Sequence, residues 1–505
     1  MKTGLYKRLE NKFSDKIRYL IKETPSFLKD NYLFLCLLIT FIWLIYIFYP
    51  GSIVHDTFFI FSDAYHNRIS NWHSALLGRF WQIILYFTEN RGIFVIIQLI
   101  PLFIGMYIIC KNITKGIITG VICSSLFLVV TPIFSYIIIV LKDTYLASFT
   151  FFVSALMLDA AISGKKKTFC FYLLTGIILV FCFYLRANGC FIAAPLLVAI
   201  WMGWKSPIIY RYITCFILVL CIVATASFVD IKLLKARDET PDFSLMVFDL
   251  AGIAKNTGHP TFPDIPGVPD QMAVINQCYT PIMWDTVSHW RRDSICGSIA
   301  VHYFDKIFEG QEALKEARTE LRRAWGSAIV HHPLAYLKHR ISHFNRFMDY
   351  QGHRPVIRPL YTTNIGYVNY LDKNDTLTLP VSAPNIWVDY IMNREPSLGK
   401  ELWFHPYVSL LILLFFYLST LATSDRFNRT LNVVSFAGLI YLVGFLFVGV
   451  ASDFRYSYPS LMISILCILA AFGYYSQKRQ LFGTKTTRII AASITVPLFL
   501  IGIIL

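Results

Sequence analysis

The chain has 505 residues, of which 56% are hydrophobic, 16% are aromatic and only 15% are charged. Together with a mean hydropathy of +0.54, this composition is typical of polytopic membrane proteins and excludes a soluble multidomain protein. The net charge of +15 would suit nucleic-acid binding only if it formed a basic face, whereas Lys and Arg occur in short clusters between apolar runs. The basicity therefore reports membrane topology, and no nucleic-acid partner is expected.

Eleven apolar runs have about the length that spans a hydrocarbon core. They cover residues 31–50, 93–110, 117–133, 144–163, 169–185, 189–203, 211–229, 405–422, 430–450, 459–475 and 488–505. The sequence thus predicts an α-helical polytopic membrane protein with about eleven transmembrane helices. The basic N-terminus is expected to be cytoplasmic, because every short basic loop then falls on the cytoplasmic side. Span 1 is expected to be an uncleaved anchor, since much charge precedes it and no cleavage site follows.

This topology divides the chain into four regions. They are a basic cytoplasmic segment 1–30, a transmembrane module 31–229 with spans 1–7, a mixed, mainly helical outer domain 230–404, and a transmembrane module 405–505 with spans 8–11. The first outer loop, 51–92, contains an apolar stretch at 76–87 that is too short to span and is expected to form an interfacial helix. In the outer domain, residues 306–349 show helical periodicity that predicts two helices broken at Pro333.

Two of the eleven cysteines, Cys278 and Cys296, lie in the outer domain rather than in or beside a predicted span. A disulfide between them would close a short loop if that compartment is oxidising, and the sequence leaves this pairing open. No spacing of Cys or His indicates zinc, no cofactor is expected, and a divalent metal ion is not indicated.

Ionisable and amide side chains recur at the outer ends of the predicted spans. They are Asp56, Lys142, Asp143, Arg186, Asn188, Asp453 and Arg455. Taken singly, each could be a charge that reaches the interface from a helix end. Taken together, they predict one shared polar site, because ionisable groups at membrane depth are costly unless they have partners or line a wet cavity.

Carboxylates and cations at a membrane surface favour one kind of chemistry. A carboxylate can remove the proton of a hydroxyl, and guanidinium or ammonium groups can hold a phosphate. These two abilities are those needed for glycosyl transfer from a lipid-phosphate sugar, whose tail stays in the bilayer. The developing charge on the polyprenyl phosphate would be stabilised by the fixed cations.

The layout resembles the GT-C class of integral membrane glycosyltransferases. An Asp follows the first span, another Asp opens the fourth span, and a large outer domain precedes an outer loop that carries an Arg. The short stretches YPGSIVHD, NWHS, LKDTYLA, LRANG, VFDLAGIA, HHPLAYLKHR and SDFRYSYP resemble a bacterial GT-C family with polyprenyl-phosphate sugar donors. That family includes the O-antigen-modifying glucosyltransferases of serotype conversion, and the resemblance covers most of the chain in layout.

The resemblance implies transfer of a sugar, glucose in this family, from a polyprenyl-phosphate donor to a hydroxyl of a cell-surface glycan such as O-antigen lipopolysaccharide. The reaction would take place with inversion at the periplasmic face of the bacterial inner membrane, and membrane lipid would surround the enzyme. A donor-making glycosyltransferase and a flippase are implied as functional partners.

Carried over position by position, the resemblance assigns roles to five residues. Asp56 matches the first-loop acid and would be the catalytic base. Asp143 matches the second acid, which helps to position the acceptor or the donor. Lys142, Arg186 and Arg455 are candidates for binding the donor phosphate.

Several neighbouring residues are candidate acceptor contacts or supporting groups. They are His55, Trp72, His73, Asn188, Asp453 and Tyr456. Relatives often have Asp-Trp-His-Pro where this chain has Asn71, Trp72, His73 and Ser74, and this departure weakens any catalytic role for position 71.

Two groups in the outer domain have structural interpretations that compete with functional ones. Asp249, Trp284 and Asp285 could contact sugars, but core and loop positions are favoured. The four histidines at roughly helical spacing are expected to be interface-facing residues of an amphipathic helix rather than metal ligands; they are His331, His332, His339 and His343.

Two other functions remain open from the sequence. A lipid-linked sugar transporter or flippase would suit many spans with charges, but such proteins usually show internal repeats and broken spans near the midplane. A polysaccharide polymerase is the nearer alternative, because it too combines many spans, a large outer loop and outer arginines. The Asp after span 1 and the Lys-Asp pair at span 4 favour the transferase.

Overall fold

The computed structural model describes most of the chain. The described residues are 26–51, 54–88, 90, 92–113, 117–129, 136–164, 167–202, 208–268, 270–348, 402–421, 423 and 425–504. Within them the structure is helical, with two isolated β-bridges and no strand. The predicted loops 354–368 and 373–392 of the outer domain, and most of the basic segment 1–30, lie outside the described residues.

Among the described residues, nine α-helices precede the large domain. They are α1 (Ser26–Phe48), α2 (His55–Tyr65), α3 (Ala75–Phe87), α4 (Ile93–Cys110), α5 (Ile117–Val129), α6 (Lys142–Ser163), α7 (Phe169–Leu185), α8 (Gly189–Met202) and α9 (Ile208–Phe228), and the short π-helix Val229–Leu233 continues α9. Five longer α-helices follow, besides the four-residue helix Lys306–Glu309; they are α10 (Pro241–Thr257), α11 (Gln271–Cys278), α12 (Ser298–Phe304), α13 (Gln311–His331) and α14 (Pro333–Met348). The last four are α15 (Pro406–Thr420), α16 (Arg426–Val448), α17 (Tyr458–Lys478) and α18 (Lys485–Ile504).

The prediction of a helical membrane protein is confirmed. Six helical segments within the described residues are long and apolar enough to cross a bilayer; they are Asn31–Phe48, Ile93–Cys110, Lys142–Ser163, Ile209–Leu233, Arg426–Val448 and Phe454–Lys478. Each of the other predicted spans also contains a helix, but four of these helices are apolar and shorter than a full span. The count of eleven therefore remains a prediction. The stretch predicted as an interfacial helix is helical, as α3.

Helix α6 is the central element of the membrane bundle. It packs against α4, α7, α16 and α17, and Asp143, Phe151 and Leu158 along it are fully buried. Close approach of α4 depends on Gly105, because a Cβ there would lie 2.9 Å from the Phe151 ring; small residues serve this purpose in membrane helix packing. Packing against these four helices therefore fixes the position of the α6 N-terminus, which carries Lys142 and Asp143.

Residues 234–348, hereafter the inserted domain, have a hydrophobic core of their own around Phe243, Phe248 and Leu321. The predicted break at Pro333 is confirmed, since α13 ends at His331 and α14 begins at Pro333. Cys278 and Cys296 form a disulfide, which decides a pairing that the sequence left open.

Two of the contacts between the inserted domain and the membrane bundle lie next to the predicted site residues. Asn71 clamps the inserted domain on one side, because its Nδ2 donates to Asp238 Oδ1 at 3.0 Å and its Oδ1 accepts from the backbone N–H of Glu239 at 2.8 Å. On the other side Met283 forms an antiparallel bridge with Ala451, just before Asp453 and Arg455 in the chain. The domain is therefore held next to the loop that carries the predicted phosphate ligand.

Candidate active site

Polar residues from distant parts of the chain meet at one end of the membrane bundle. This end is formed by the N-termini of α2, α6 and α17 and by the C-termini of α7 and α16. The residues brought together there are Asp56, Lys142, Asp143, Arg186, Asp453, Arg455 and Tyr456. Six of the seven residues that the sequence predicted to share a polar site thus lie together, whereas their functional roles stay predictions.

Arg455 is the hub of one half of this cluster. Its Nη1 donates to Asp56 Oδ2 at 2.8 Å, its Nη2 donates to the Tyr456 hydroxyl at 3.0 Å, and its Nε lies 3.6 Å from Asp453 Oδ2. The side chains of Asp56 and Arg455 are 17% and 15% exposed. A ligand can therefore reach this ion pair, although most of its surface is covered by protein.

The other half of the cluster is an ion pair between Asp143 and Arg186. The Asp143 side chain has no solvent exposure, and Arg186 follows α7 in an extended conformation. A buried carboxylate requires its cation, because removal of one partner leaves an uncompensated charge. Asp143 therefore fixes the position of the Arg186 guanidinium. The Lys142 ammonium is close enough to interact electrostatically with Asp56, Arg186 and Arg455.

Tyr456 contacts both guanidinium groups. The Cζ atoms of Arg186 and Arg455 lie 4.0 Å and 4.9 Å from its ring centroid. Phe445 stacks on the same ring at 5.5 Å and an interplanar angle of 17°. Cations are attracted to the face of an aromatic ring, so the Tyr456 ring helps to stabilise both guanidinium groups in addition to their carboxylates.

The two acids are presented by the same local structure. Asp56 and Asp143 each occupy the first turn of a helix, where the helix dipole favours negative charge, and each is followed by a threonine that bonds to the backbone. Thr57 donates to the carbonyl of Val140 at 2.6 Å, and Thr144 donates to the carbonyl of Ile139 at 2.7 Å. The Asp-Thr pair at both helix starts is a sequence signal that could have linked the two acids.

The formal charges of the cluster residues that come from the membrane bundle balance. Three cations (Lys142, Arg186 and Arg455) face three carboxylates (Asp56, Asp143 and Asp453). An incoming phosphate must therefore take a cation from a carboxylate, or a carboxylate must become protonated as negative charge grows elsewhere. The cluster can couple proton uptake at one site to charge development at another.

The remaining predicted site residues lie around this cluster rather than in it. Asn188 is buried next to Tyr441. The His73 ring stacks on Phe59 of α2 with a centroid distance of 6.2 Å. Trp72 packs edge to face against Trp290 of the inserted domain at 5.3 Å. The side chain of His55 lies outside the described residues. Acceptor contacts by these four residues stay predictions.

Asp285 joins the cluster from the inserted domain. Burial raises the pKa of its carboxyl to about 6, with Asp453 and Asp56 adding to the shift and Arg455 opposing it. The sequence favoured a structural role for Asp285, because nothing in the sequence places this residue near Asp453 and Arg455. The bridge between Met283 and Ala451 brings Asp285 beside the Arg455 loop.

The buried histidines belong to a different network in the inserted domain. Asp249 is fully buried and accepts hydrogen bonds from Trp325 Nε1 at 2.8 Å and His339 Nε2 at 3.0 Å, while Arg340 Nη2 lies 2.5 Å away. The structural interpretation of Asp249 fits this geometry. The interface-facing interpretation is wrong for His339 and His343, which are buried because they face the domain core rather than solvent.

Burial also lowers the pKa of both histidines, that of His343 to about 3. The described residues contain no group of three or more His, Cys, Asp or Glu side chains arranged to hold a metal ion.

No protein-family model, no curated protein and no solved structure matches this chain. A functional assignment therefore rests on the chemistry of the cluster at the α2, α6 and α17 termini.

Proposed function

We propose that the protein is a membrane glycosyltransferase of GT-C type. It transfers a sugar, with glucose as the first candidate, from a polyprenyl-phosphate donor to a hydroxyl of a cell-surface glycan such as O-antigen lipopolysaccharide. The reaction takes place at the outer face of the bacterial inner membrane, with inversion at the anomeric carbon. The resemblance of the sequence motifs motivates the choice of donor and acceptor.

The observation that carries this proposal is the Asp56–Arg455 ion pair, with Lys142 and Arg186 beside it at one end of an apolar helix bundle. A carboxylate and three cations at a bilayer surface suit a substrate with a lipid tail, a phosphate and a sugar. The tail stays in the hydrocarbon, while the phosphate lies among the cations.

Asp56 acts as the general base. It takes the proton from the acceptor hydroxyl as the hydroxyl oxygen attacks the anomeric carbon, and the bond from that carbon to the phosphate oxygen breaks with its electron pair on the phosphate. The phosphodiester with one negative charge becomes a monoester with two, while Asp56 becomes neutral. The total charge of the site is unchanged, and Lys142, Arg186 and Arg455 stabilise the charge that moves to the phosphate.

Arg455 changes partners during the reaction. In the structure it is bonded to Asp56, and an Arg neighbour weakens a carboxylate as a base. The donor phosphate competes for the same guanidinium, so donor binding releases Asp56 to accept a proton. Asp143 is a positioning residue in this scheme, because its buried carboxylate holds Arg186 rather than reaching a substrate.

The orientation follows from charge. Lys111 and Asp159 form an ion pair at the opposite end of the bundle from the cluster, on the side of the basic loops. By the positive-inside bias, that end faces the cytoplasm and the cluster faces outward. The donor would then be made on the inner face and turned over by a flippase.

Asp56→Asn is expected to reduce turnover about 100-fold or more, the effect typical of losing a general base. The measurement uses the full-length protein in nanodiscs with polyprenyl-phosphate glucose and lipopolysaccharide, and follows release of polyprenyl phosphate. Donor binding should persist in this variant, because the three cations remain. Asp63→Asn, a change on the same helix α2, is the matched control and should keep full turnover.

Equal turnover of Asp56→Asn and wild type would refute the assignment of the base. Movement of the lipid-linked sugar across the bilayer without release of the carrier would replace the transferase by a transporter. Growth of a glycan by whole repeat units instead of single sugars would favour the polymerase.

A further inference from the structure

The segment between Cys278 and Cys296 contains none of the residues that have a role in the proposed reaction. The disulfide closes it into a loop, hereafter the disulfide loop. Its start is fixed to the membrane bundle, because Trp284 N–H donates to the carbonyl of Val450 at 2.8 Å and Ile282 accepts from the N–H of Ser452 at 3.0 Å. The loop is therefore anchored directly against the Asp453–Arg455 turn.

Aromatic rings extend from this anchor to the surface. Trp72 touches Trp284 at 5.8 Å and Trp290 at 5.3 Å between ring centroids, and His289 lies 3.9 Å from Trp290. Trp284 is only 5% exposed, whereas Trp290 is 58% exposed. A large exposed indole in the same loop as a carboxylate suits a ligand that has an apolar face and a polar edge.

Asp285 supplies the polar partner in the same loop. Its main-chain carbonyl accepts hydrogen bonds from Ser288 Oγ at 3.0 Å and Arg291 Nε at 3.1 Å. These bonds hold the backbone in place, and the carboxylate has no hydrogen-bond or ion-pair partner among the described residues. It is close enough to Asp453, Arg455 and Asp56 to interact with them electrostatically.

We propose that the disulfide loop binds the acceptor glycan, with the Asp285 carboxylate accepting hydrogen bonds from sugar hydroxyls and Trp290 packing against a sugar face. This inference rests on the proposed glycosyl transfer, for which it names the acceptor-binding element. A sugar combines a face of C–H groups with a rim of hydroxyl donors, which an indole and a carboxylate match. The anchored start of the loop places the bound hydroxyl near Asp56.

The surroundings of the Asp285 carboxyl are unfavourable for its ionised form. A carboxylate without partners, in surroundings that raise its pKa, opposes folding in its ionised form. Such a residue does not stabilise the fold, and residues that lower stability are commonly found where a protein binds a ligand. A purely structural Asp285 would instead stabilise the loop through its side chain.

The experiment measures binding of polysaccharide released from bacterial lipopolysaccharide by mild acid to the full-length protein in nanodiscs, by saturation-transfer NMR and calorimetry. Asp285→Asn and Trp290→Ala are expected to weaken binding about tenfold each, which corresponds to about 1.4 kcal/mol. The affinity of these two variants for polyprenyl-phosphate glucose should stay within about twofold of the wild-type affinity. Asp293→Asn, an exposed acid of the same loop, and Phe308→Ala, an exposed ring of the inserted domain, should bind polysaccharide like wild type.

Turnover assays separate this proposal from the function on which it rests. With lipopolysaccharide as acceptor, Asp285→Asn should raise the acceptor KM and leave the donor KM unchanged. Asp285→Glu keeps a carboxylate and should raise the acceptor KM less than Asp285→Asn does. If Asp285→Asn and Trp290→Ala both leave the acceptor KM and polysaccharide binding unchanged, the disulfide loop does not bind the acceptor. The transferase proposal would not be affected by this result. Binding of polysaccharide without any release of carrier would support the loop and refute the transferase. Failure of wild type to bind any of the polysaccharides would also overturn the loop.

Discussion

The molecule contains two clusters built around an Asp and an Arg, and they differ in what surrounds them. In the inserted domain, Asp249 and Arg340 are 0% and 1% exposed, and Trp325 and His339 also donate to the carboxylate. At the bundle end, Asp56 and Arg455 are 17% and 15% exposed. The first cluster is closed by its own domain, whereas the second is assembled from helix ends and remains accessible.

The difference shows how a buried charge can be recognised as structural or functional. Asp249 has several donors from one domain, so nothing in its surroundings calls for a ligand. Arg455 is shared between two carboxylates and an aromatic ring, so a phosphate can displace Asp56 while Asp453 stays beside the guanidinium. Accessible, exchangeable pairs are candidates for substrate binding, and closed networks are candidates for stability.

The largest effect on stability is expected where the closed cluster is broken. Asp249→Ala should lower the free energy of unfolding by about 3–5 kcal/mol, because Arg340 is left buried without its anion. The midpoint of thermal unfolding of the full chain in detergent measures this loss. Asp305→Asn removes the carboxylate of an exposed pair with Arg292 and should change stability by less than about 1 kcal/mol. Equal losses in the two variants would contradict the distinction.

A smaller effect, on binding rather than folding, is expected at the open cluster. Arg455→Lys keeps the charge but removes the planar fork that can hold Asp56, Asp453 and a phosphate together. We expect the donor KM to rise about tenfold, which corresponds to about 1.4 kcal/mol, with little change in the unfolding midpoint. Arg292→Lys is the matched control. A drop in melting temperature with an unchanged donor KM would make Arg455 structural, like Arg340.

The smallest effect concerns pH. The Asp285 carboxyl has its pKa raised to about 6 by burial and by the negative charges of Asp453 and Asp56, with Arg455 and Arg291 acting in the opposite direction. Below about pH 6 the carboxyl gains a proton and accepts hydroxyl hydrogen bonds less well, so the acceptor KM should rise several-fold. Asp285→Asn should remove this part of the pH dependence.

The same carboxyl affects stability in a defined direction. An ordinary Asp in the unfolded chain has a pKa of about 3.9, so the folded protein binds more protons between that pH and about 6. The stabilising contribution of the protonated form is therefore lost as pH rises through this window. Asp285→Asn should raise the melting temperature at pH 7, and a lowered melting temperature would contradict the acceptor-binding role.

The sequence by itself determined the membrane class, the positions of the apolar helices and the break at Pro333, because each depends on local hydropathy and on backbone chemistry. It also pointed to the residues of the charged cluster, since ionisable groups next to apolar runs are costly wherever they lie. Asp56, Asp143, Arg186 and Arg455 could be selected in this way without knowledge of their partners.

Only the tertiary structure decided which of these residues meet. Asp56 and Arg455 are separated by 399 positions, and no local pattern encodes a contact at that distance. The burial of His339 depends on how α14 packs against α10, and its spacing along the helix looks like that of an exposed face. Asp285 becomes part of the charged cluster only because a bridge between Met283 and Ala451 brings two segments together. Pairing, burial and accessibility are properties of packing, whereas residue chemistry and helix-forming pattern are properties of the chain.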